Sequence, residues 1–232
     1  MRQLNVLSLV IGLGFLAIIP KAAHADFSLS SMIIDFAGNG PRQQDIELSS
    51  RDSEILYLET EVFEIKKPGT MQEQRVKLTN PEEAGIIVSP RRMVLQPNAR
   101  KNMRIIVVQT PKNHDRIFRV TVKPIVSGIE SSSKVALKVL VGYDAMVIAR
   151  PKNTKIDVVG ERQGQRLTLT NKGNSNVLLQ NGSQCSSVSK CKPLDVTRLY
   201  AGQSWSTDLP MASAAPATYQ VWDGTVTKAY EF

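Results

Sequence analysis

From residue 26 onward the chain is written in short apolar–polar alternations, and no stretch sustains a helical period for long. Phe27-Ser28-Leu29 opens the series and Ile46-Glu47-Leu48 follows. Ile55 to Ile65 is a longer run, broken by Lys67-Pro68-Gly69. Arg75-Val76-Lys77-Leu78-Thr79 alternates and stops at Asn80-Pro81; Ile86-Ile87-Val88 runs into Ser89-Pro90. Met103 to Val108 reads as a buried strand ending at Pro111, and Ile117 to Val122 alternates strongly. After the polar stretch 127–134 comes a last apolar run, Val135 to Ile148. About seven short strands with turn residues between them predict a β-sandwich of immunoglobulin type.

Arg150-Pro151-Lys152-Asn153 reads as a linker, because proline fixes φ and cannot donate to a strand ladder. Beyond it the all-β pattern resumes more weakly. Candidate strands are Ile156–Val159, Gln165–Thr170, Val177–Gln180, Val196–Tyr200, Thr218–Trp222 and Thr225–Tyr230. Asn171-Lys172-Gly173-Asn174 and Asn181-Gly182 read as turns. The expected fold is therefore all-β, with two immunoglobulin-like sandwich domains over 26–149 and 150–232.

The first 25 residues have a different character. Met1-Arg2, an uncharged apolar run from Leu4 to Ile19 and the small residues Ala23 and Ala25 make a secretory signal with cleavage before Asp26. The competing reading is an uncleaved anchor, for which the run is slightly short. With the signal removed the protein is expected to be exported, with no membrane insertion. The formal charge of +8 becomes +6 once Arg2 and Lys21 are lost. The basic residues are scattered through the strands, which argues against a nucleic-acid partner and allows steering of acidic protein clients.

The chemistry-bearing residues are few. Cys185 and Cys191, in an oxidising compartment, are expected to close one local disulfide. Their spacing is not that of a redox C-x-x-C, and two thiolates alone make a poor metal site. His24 falls in the signal and His114 in a polar loop, and no carboxylate pair is marked for acid–base work. No enzyme, cofactor or metal is expected.

The most informative stretch is 135–143. Side chains alternate faces along a strand, so Val135, Leu137, Val139, Val141 and Tyr143 share one apolar face. Such a row suits a core strand, or an edge strand that lends its side chains to another protein. Pattern leaves both open.

The order of several segments resembles the periplasmic chaperones of the chaperone–usher pilus pathway, the PapD-like superfamily. Leu78-Thr79-Asn80-Pro81 follows a strand, and 86–105, from Ile86-Ile87-Val88-Ser89-Pro90 through Leu95-Gln96-Pro97-Asn98 to Met103-Arg104-Ile105, is similar to the family's V-x-P…L-x-P-G…V-R-I stretch. Ile117-Phe118-Arg119-Val120 leads to Pro124-Ile125; the alternating strand then closes at Ala149-Arg150-Pro151. Leu167-Thr168-Leu169-Thr170-Asn171-Lys172-Gly173-Asn174 resembles the entry to the family's second domain.

The resemblance implies an L-shaped, two-domain periplasmic protein. It would complete the sandwich of a pilin that lacks its last strand, and hand the pilin to an outer-membrane usher. Val135, Leu137, Val139 and Val141 match the donor row, with Tyr143 lower in the cleft. The same strand would offer free molecules a route to self-association. The best-known branch anchors the pilin's terminal carboxylate with an Arg on the first strand and a Lys at the base of the donor strand. Here those positions hold Met32, Ile33 and Ile34, and Asp144, Ala145 and Met146. Phe118-Arg119 and the two-cysteine second domain look more like the alternate and archaic branches, which makes Arg119 the candidate carboxylate anchor. Arg91 and Arg92 are weaker candidates in an expected loop. The other reading of the sequence is a secreted β-sandwich that serves as a building block of a pilus or as an adhesion module.

Overall fold

The structure, a computed structural model, describes residues 26–80, 84–125, 140–187, 190–212 and 214–232. Its first part holds β1 (Phe27–Leu29), β2 (Ile33–Phe36), β3 (Gln43–Ser50), β4 (Leu56–Lys66), β5 (Gln74–Lys77), β6 (Ile86–Ser89), β7 (Arg92–Leu95), β8 (Arg100–Val107), β9 (Arg116–Pro124) and β10 (Tyr143–Ala149). One sheet runs β1-β3-β8-β6; the other runs β2-β10-β9-β4-β5, with β7 beside the start of β4. All these strand pairs are antiparallel except β2 with β10. The first strand is thus split, β1 in one sheet and β2 in the other, joined across residues 30–32.

Alternation explains how these sheets close on each other. On β4 the side chains of Leu56, Leu58, Thr60 and Val62 point inward while Tyr57, Glu59, Glu61 and Phe63 point outward. On β9, Phe118, Val120 and Val122 point inward. They meet Ile46, Leu48, Met103, Ile105 and Val107 of the facing sheet in a single core. Each such side chain removed from water contributes about 1.5–3 kcal/mol.

The rest of the chain forms β11 (Val158–Gln163), β12 (Arg166–Asn171), β13 (Val177–Ser187), β14 (Lys190–Pro193), β15 (Thr197–Leu199), β16 (Ser204–Asp208), β17 (Ala217–Trp222) and β18 (Thr227–Glu231). A three-stranded sheet, β11-β12-β16, packs on a five-stranded one, β14-β13-β17-β18 with β15 beside β13. Its core is separate and built on Leu167, Leu169, Leu179, Tyr219 and Val221.

Several expectations need correction. Met103–Val108 is a half-buried strand: Arg104 is exposed and paired with Asp45, because the outer face of the four-stranded sheet meets solvent. Arg92 lies in a strand, β7, and pairs with Glu59; Arg91 just before it accepts a hydrogen bond at its carbonyl from Thr60 N–H. Asn181-Gly182 is not a turn. β13 continues through it to Ser187, with a register shift against β17 between Gln180 and Ser183. The left-handed φ of 50° at Asn181 serves this bulge. Gly182 is there because Tyr219 lies over it: an added Cβ would sit 2.3 Å from the ring. The runs β2, β14 and β16 carried no sequence signal strong enough to be expected.

Arg150 is not a free linker residue. Its side chain is wholly buried between the two cores. It donates two hydrogen bonds to the Asp35 carboxylate, just inside the end of β2, at 2.7 and 2.8 Å. It also donates to Ser175 Oγ and the Asn176 carbonyl. Asp115, just before β9, accepts from the Asn176 backbone N–H and side-chain amide.

Candidate partner-binding site

β10 lies beside β9 along its whole length, from Tyr143 opposite Val122 to Ala149 opposite Arg116. Its other neighbour, β2, covers only Met146 to Ala149. Among the described residues, Tyr143 to Ala145 therefore has one strand partner, and the edge turned toward the β2 side is open. Residues 140–142 lead into it outside any described ladder, and Val141 is 44% exposed. Of the expected donor row, Val135, Leu137 and Val139 lie outside the described residues.

Tyr143 is not in the cleft. Its ring packs edge-on against Phe27, 4.9 Å between centroids, and its hydroxyl donates to the Phe27 carbonyl at 2.7 Å. It thus belongs to the molecule's own first core and marks the inward face of β10. The opposite face carries Asp144, Met146 and Ile148. Met146 and Ile148 join Ile65 and Ile117 in a third apolar cluster, closed from the other sandwich by Tyr200. Tyr200 also covers the β4–β5 turn, where a Cβ on Gly69 would come within 2.8 Å of its ring. Beside this cluster Met32 and Ile33 are each more than 40% exposed.

The same outer face holds the charged groups. Arg119 stands opposite Met146 on one side and Phe63 on the other. Its side chain is 35% exposed, its Nε lies 3.8 Å from the Asp144 carboxylate and its Nη1 reaches the Asp144 carbonyl at 3.4 Å. Arg75, from β5, crosses the Phe63 ring at 4.1 Å and grips Asp144 with both arms, at 3.0 and 2.6 Å. Thr121 donates a further hydrogen bond to the Asp144 carboxylate at 2.6 Å. One row along, Glu61 is held between Lys77 and Lys123.

Partial burial raises the Asp144 pKa, but the hydrogen bonds from Arg75 and Thr121 and the charges of Arg75 and Arg119 outweigh it and leave the group below its ordinary value. Hydrogen bonds from Lys123 and then Lys77 pull Glu61 down to about 2. Arg75 and Lys77 from β5, with Arg119 and Lys123 from β9, thus supply four positive charges against two carboxylates, Glu61 and Asp144. The face is suited to a partner that brings an anionic group and apolar side chains together. Sequence reading singled out Arg119 but not Arg75 or Asp144 as its neighbours. Their meeting depends on the order of strands across the sheet, which local alternation does not carry.

Cys185 and Cys191 form a disulfide across β13 and β14, where they stand directly opposite each other. No group of three or more His, Cys, Asp or Glu suited to a metal ion occurs among the described residues.

No protein-family model matches the chain. Among solved structures, the Class 5 fimbriae chaperone CfaA superposes with a TM-score of 0.65, at 20% identity, over 88% of this chain and 98% of that one. This chain has the fold of the pilus chaperones. The Escherichia coli chaperone DraB shares that chaperone fold, at TM-score 0.57 and 14% identity over 89% of this chain and 97% of DraB. So does a chain of the CsuC–CsuE chaperone–tip pre-assembly complex of Acinetobacter baumannii, at TM-score 0.57 and 15% identity over 89% and 98%. In sequence, a CFA/I fimbrial protein of Escherichia coli is 24% identical over 163 residues. That match covers 67% of this chain and spans 66% of the relative's length, just under two thirds. Within the chaperone fold, the open edge of β10 and the Asp144 cluster lie on one strand, since Asp144 itself sits in the open stretch Tyr143–Ala145.

Proposed function

We propose that the protein is a periplasmic chaperone. It holds pilin or fimbrial subunits by lending them a β-strand and delivers them to an outer-membrane usher. The observation that carries this reading is the half-open β10: an edge at Tyr143–Ala145 that lacks a second strand among the described residues, fed by a sequence with an unbroken apolar row. An edge strand of this kind templates a partner strand, and its side chains fill the partner's groove. Val135, Leu137, Val139 and Val141 form the donor row, each worth about 1.5–3 kcal/mol gross on burial. Tyr143 roots that row in the chaperone's own core. Arg119 anchors a client carboxylate, and no bond is made or broken. The complex of CsuC with CsuE is of a chaperone with a pilus tip component, which agrees in kind with this role.

Co-expression with the pilin of the same assembly system tests the reading. The wild type is expected to yield a soluble one-to-one complex from the periplasm. Leu137→Asp with Val139→Asp places two carboxylates in an apolar groove and is expected to abolish that complex while the free protein still folds. A double variant that keeps the complex overturns the donor-strand assignment.

A further inference from the structure

The Asp144 cluster holds an asymmetry that the anchoring role alone does not explain. Two guanidiniums flank one carboxylate, and they share it unequally. Arg75 uses both arms on Asp144 and stacks on Phe63. Arg119 touches the same carboxylate only at 3.8 Å. An arginine fork binds a carboxylate best with two parallel N–H donors, and Arg119 makes no such pair with Asp144. The set carries net charge +1, so one further carboxylate brings it to neutrality. The neighbouring Lys77–Glu61–Lys123 set is likewise +1 and does not reverse that sign.

We propose that Asp144 is a displaceable counter-ion: it partly occupies Arg119 in the free protein and competes with an incoming client carboxylate for that guanidinium. The inference rests on Arg119 being the anchor. It adds the reason such an anchor can let go. A part-exposed arginine stripped of its ligand at the moment of release would be left without a counter-charge. Asp144, held in place by Arg75 and Thr121, is already within reach and takes up that role. The same carboxylate weakens the client's grip by like-charge repulsion while the client is bound. Binding strength is thus given up in return for reversibility. The ligand chemistry is a carboxylate, whether of a chain terminus or of an acidic side chain.

The experiment follows the arginine Nε–Hε resonances of the full-length exported protein by NMR. The probes are N-acetylphenylalanine, its amide, and N-acetylglutamic acid α-amide. In the wild type, the Arg119 resonance should move with the first probe and stay still with the amide. In Asp144→Asn and Asp144→Ala the apparent Kd should fall about tenfold, the low end for removing a like charge within ~4–6 Å. In Arg119→Ala the response, read on Arg75, should vanish. Equal binding of the glutamate probe assigns the site to side-chain carboxylates, and weaker binding assigns it to chain termini. If both Asp144 variants bind no tighter than wild type while Arg119→Ala has lost binding, the counter-ion role is overturned and the anchor stands. If no protein responds to any carboxylate, the anchor itself is wrong, and the counter-ion role falls with it.

Discussion

Glu61 shows how much of this protein's surface chemistry is fixed by single side chains. It is clamped by Lys123 and Lys77, and its carboxyl titrates at about 2 where 4.5 is ordinary. A depressed carboxylate contributes stability that is present above the unfolded value and is lost as pH falls through the folded one. The contribution of this clamp should therefore be intact above pH ~4.5 and disappear toward pH ~2. Carbon-detected NMR titration of the Glu61 carboxyl is expected to give a midpoint near 2. Lys123→Gln should raise that midpoint more than Lys77→Gln, because the Lys123 hydrogen bond is the larger cause. A Glu61 midpoint near 4.5 would show that the clamp is not formed in solution.

Among the elements, β13 teaches the most about local signals. Asn-Gly between apolar runs is a strong turn pattern, yet here the left-handed residue makes a bulge inside an eleven-residue strand. What decides the outcome is Tyr219, a residue nearly forty positions away whose ring occupies the space over Gly182. Gly182→Ala should push that ring off its buried site and cost about 1–3 kcal/mol, the usual penalty of overpacking. Urea unfolding measures it, and an unchanged midpoint would mean the strand accommodates the methyl group by shifting. β4 and β9 were legible in sequence because their alternation is long and one face is wholly apolar. β2 and β16 are short, and β7 opens on an arginine pair, so their strand character comes from a neighbour's backbone. The disulfide was legible because two cysteines in an exported chain have one partner each. Arg119 was singled out, but the Arg75–Asp144 grip was hidden, since it joins strands far apart in sequence.

At the scale of the whole molecule, the two sandwiches are joined by more than a peptide linker. Arg150 is wholly buried and makes four hydrogen bonds, to Asp35, Ser175 and Asn176. No buried side-chain nitrogen or oxygen is left without a partner among the described residues. Removing one member of a buried ion pair leaves the other uncompensated. Arg150→Ala should therefore destabilise the protein by about 3–5 kcal/mol. It should also make chemical unfolding less cooperative, as each sandwich then unfolds on its own. Circular dichroism with tryptophan fluorescence separates the two, because Trp205 and Trp222 both lie in the second sandwich. Coincident transitions of unaltered midpoint would show that Arg150 does not couple them.

The split first strand has a consequence for how the chain is made. β1 can pair with β3 as soon as residue 50 is present, but β2 waits for β10. Joining them closes a loop of about 110 residues, an entropic cost met only after most of the first sandwich has been synthesised. Contacts so distant in sequence slow folding. A polypeptide that crosses a membrane amino end first therefore arrives with Ile33 to Phe36 unmatched, and stays incomplete until Ala149 has followed it through. Asp35 meets its arginine one residue later still, so maturation of this protein is timed by the passage of its own middle.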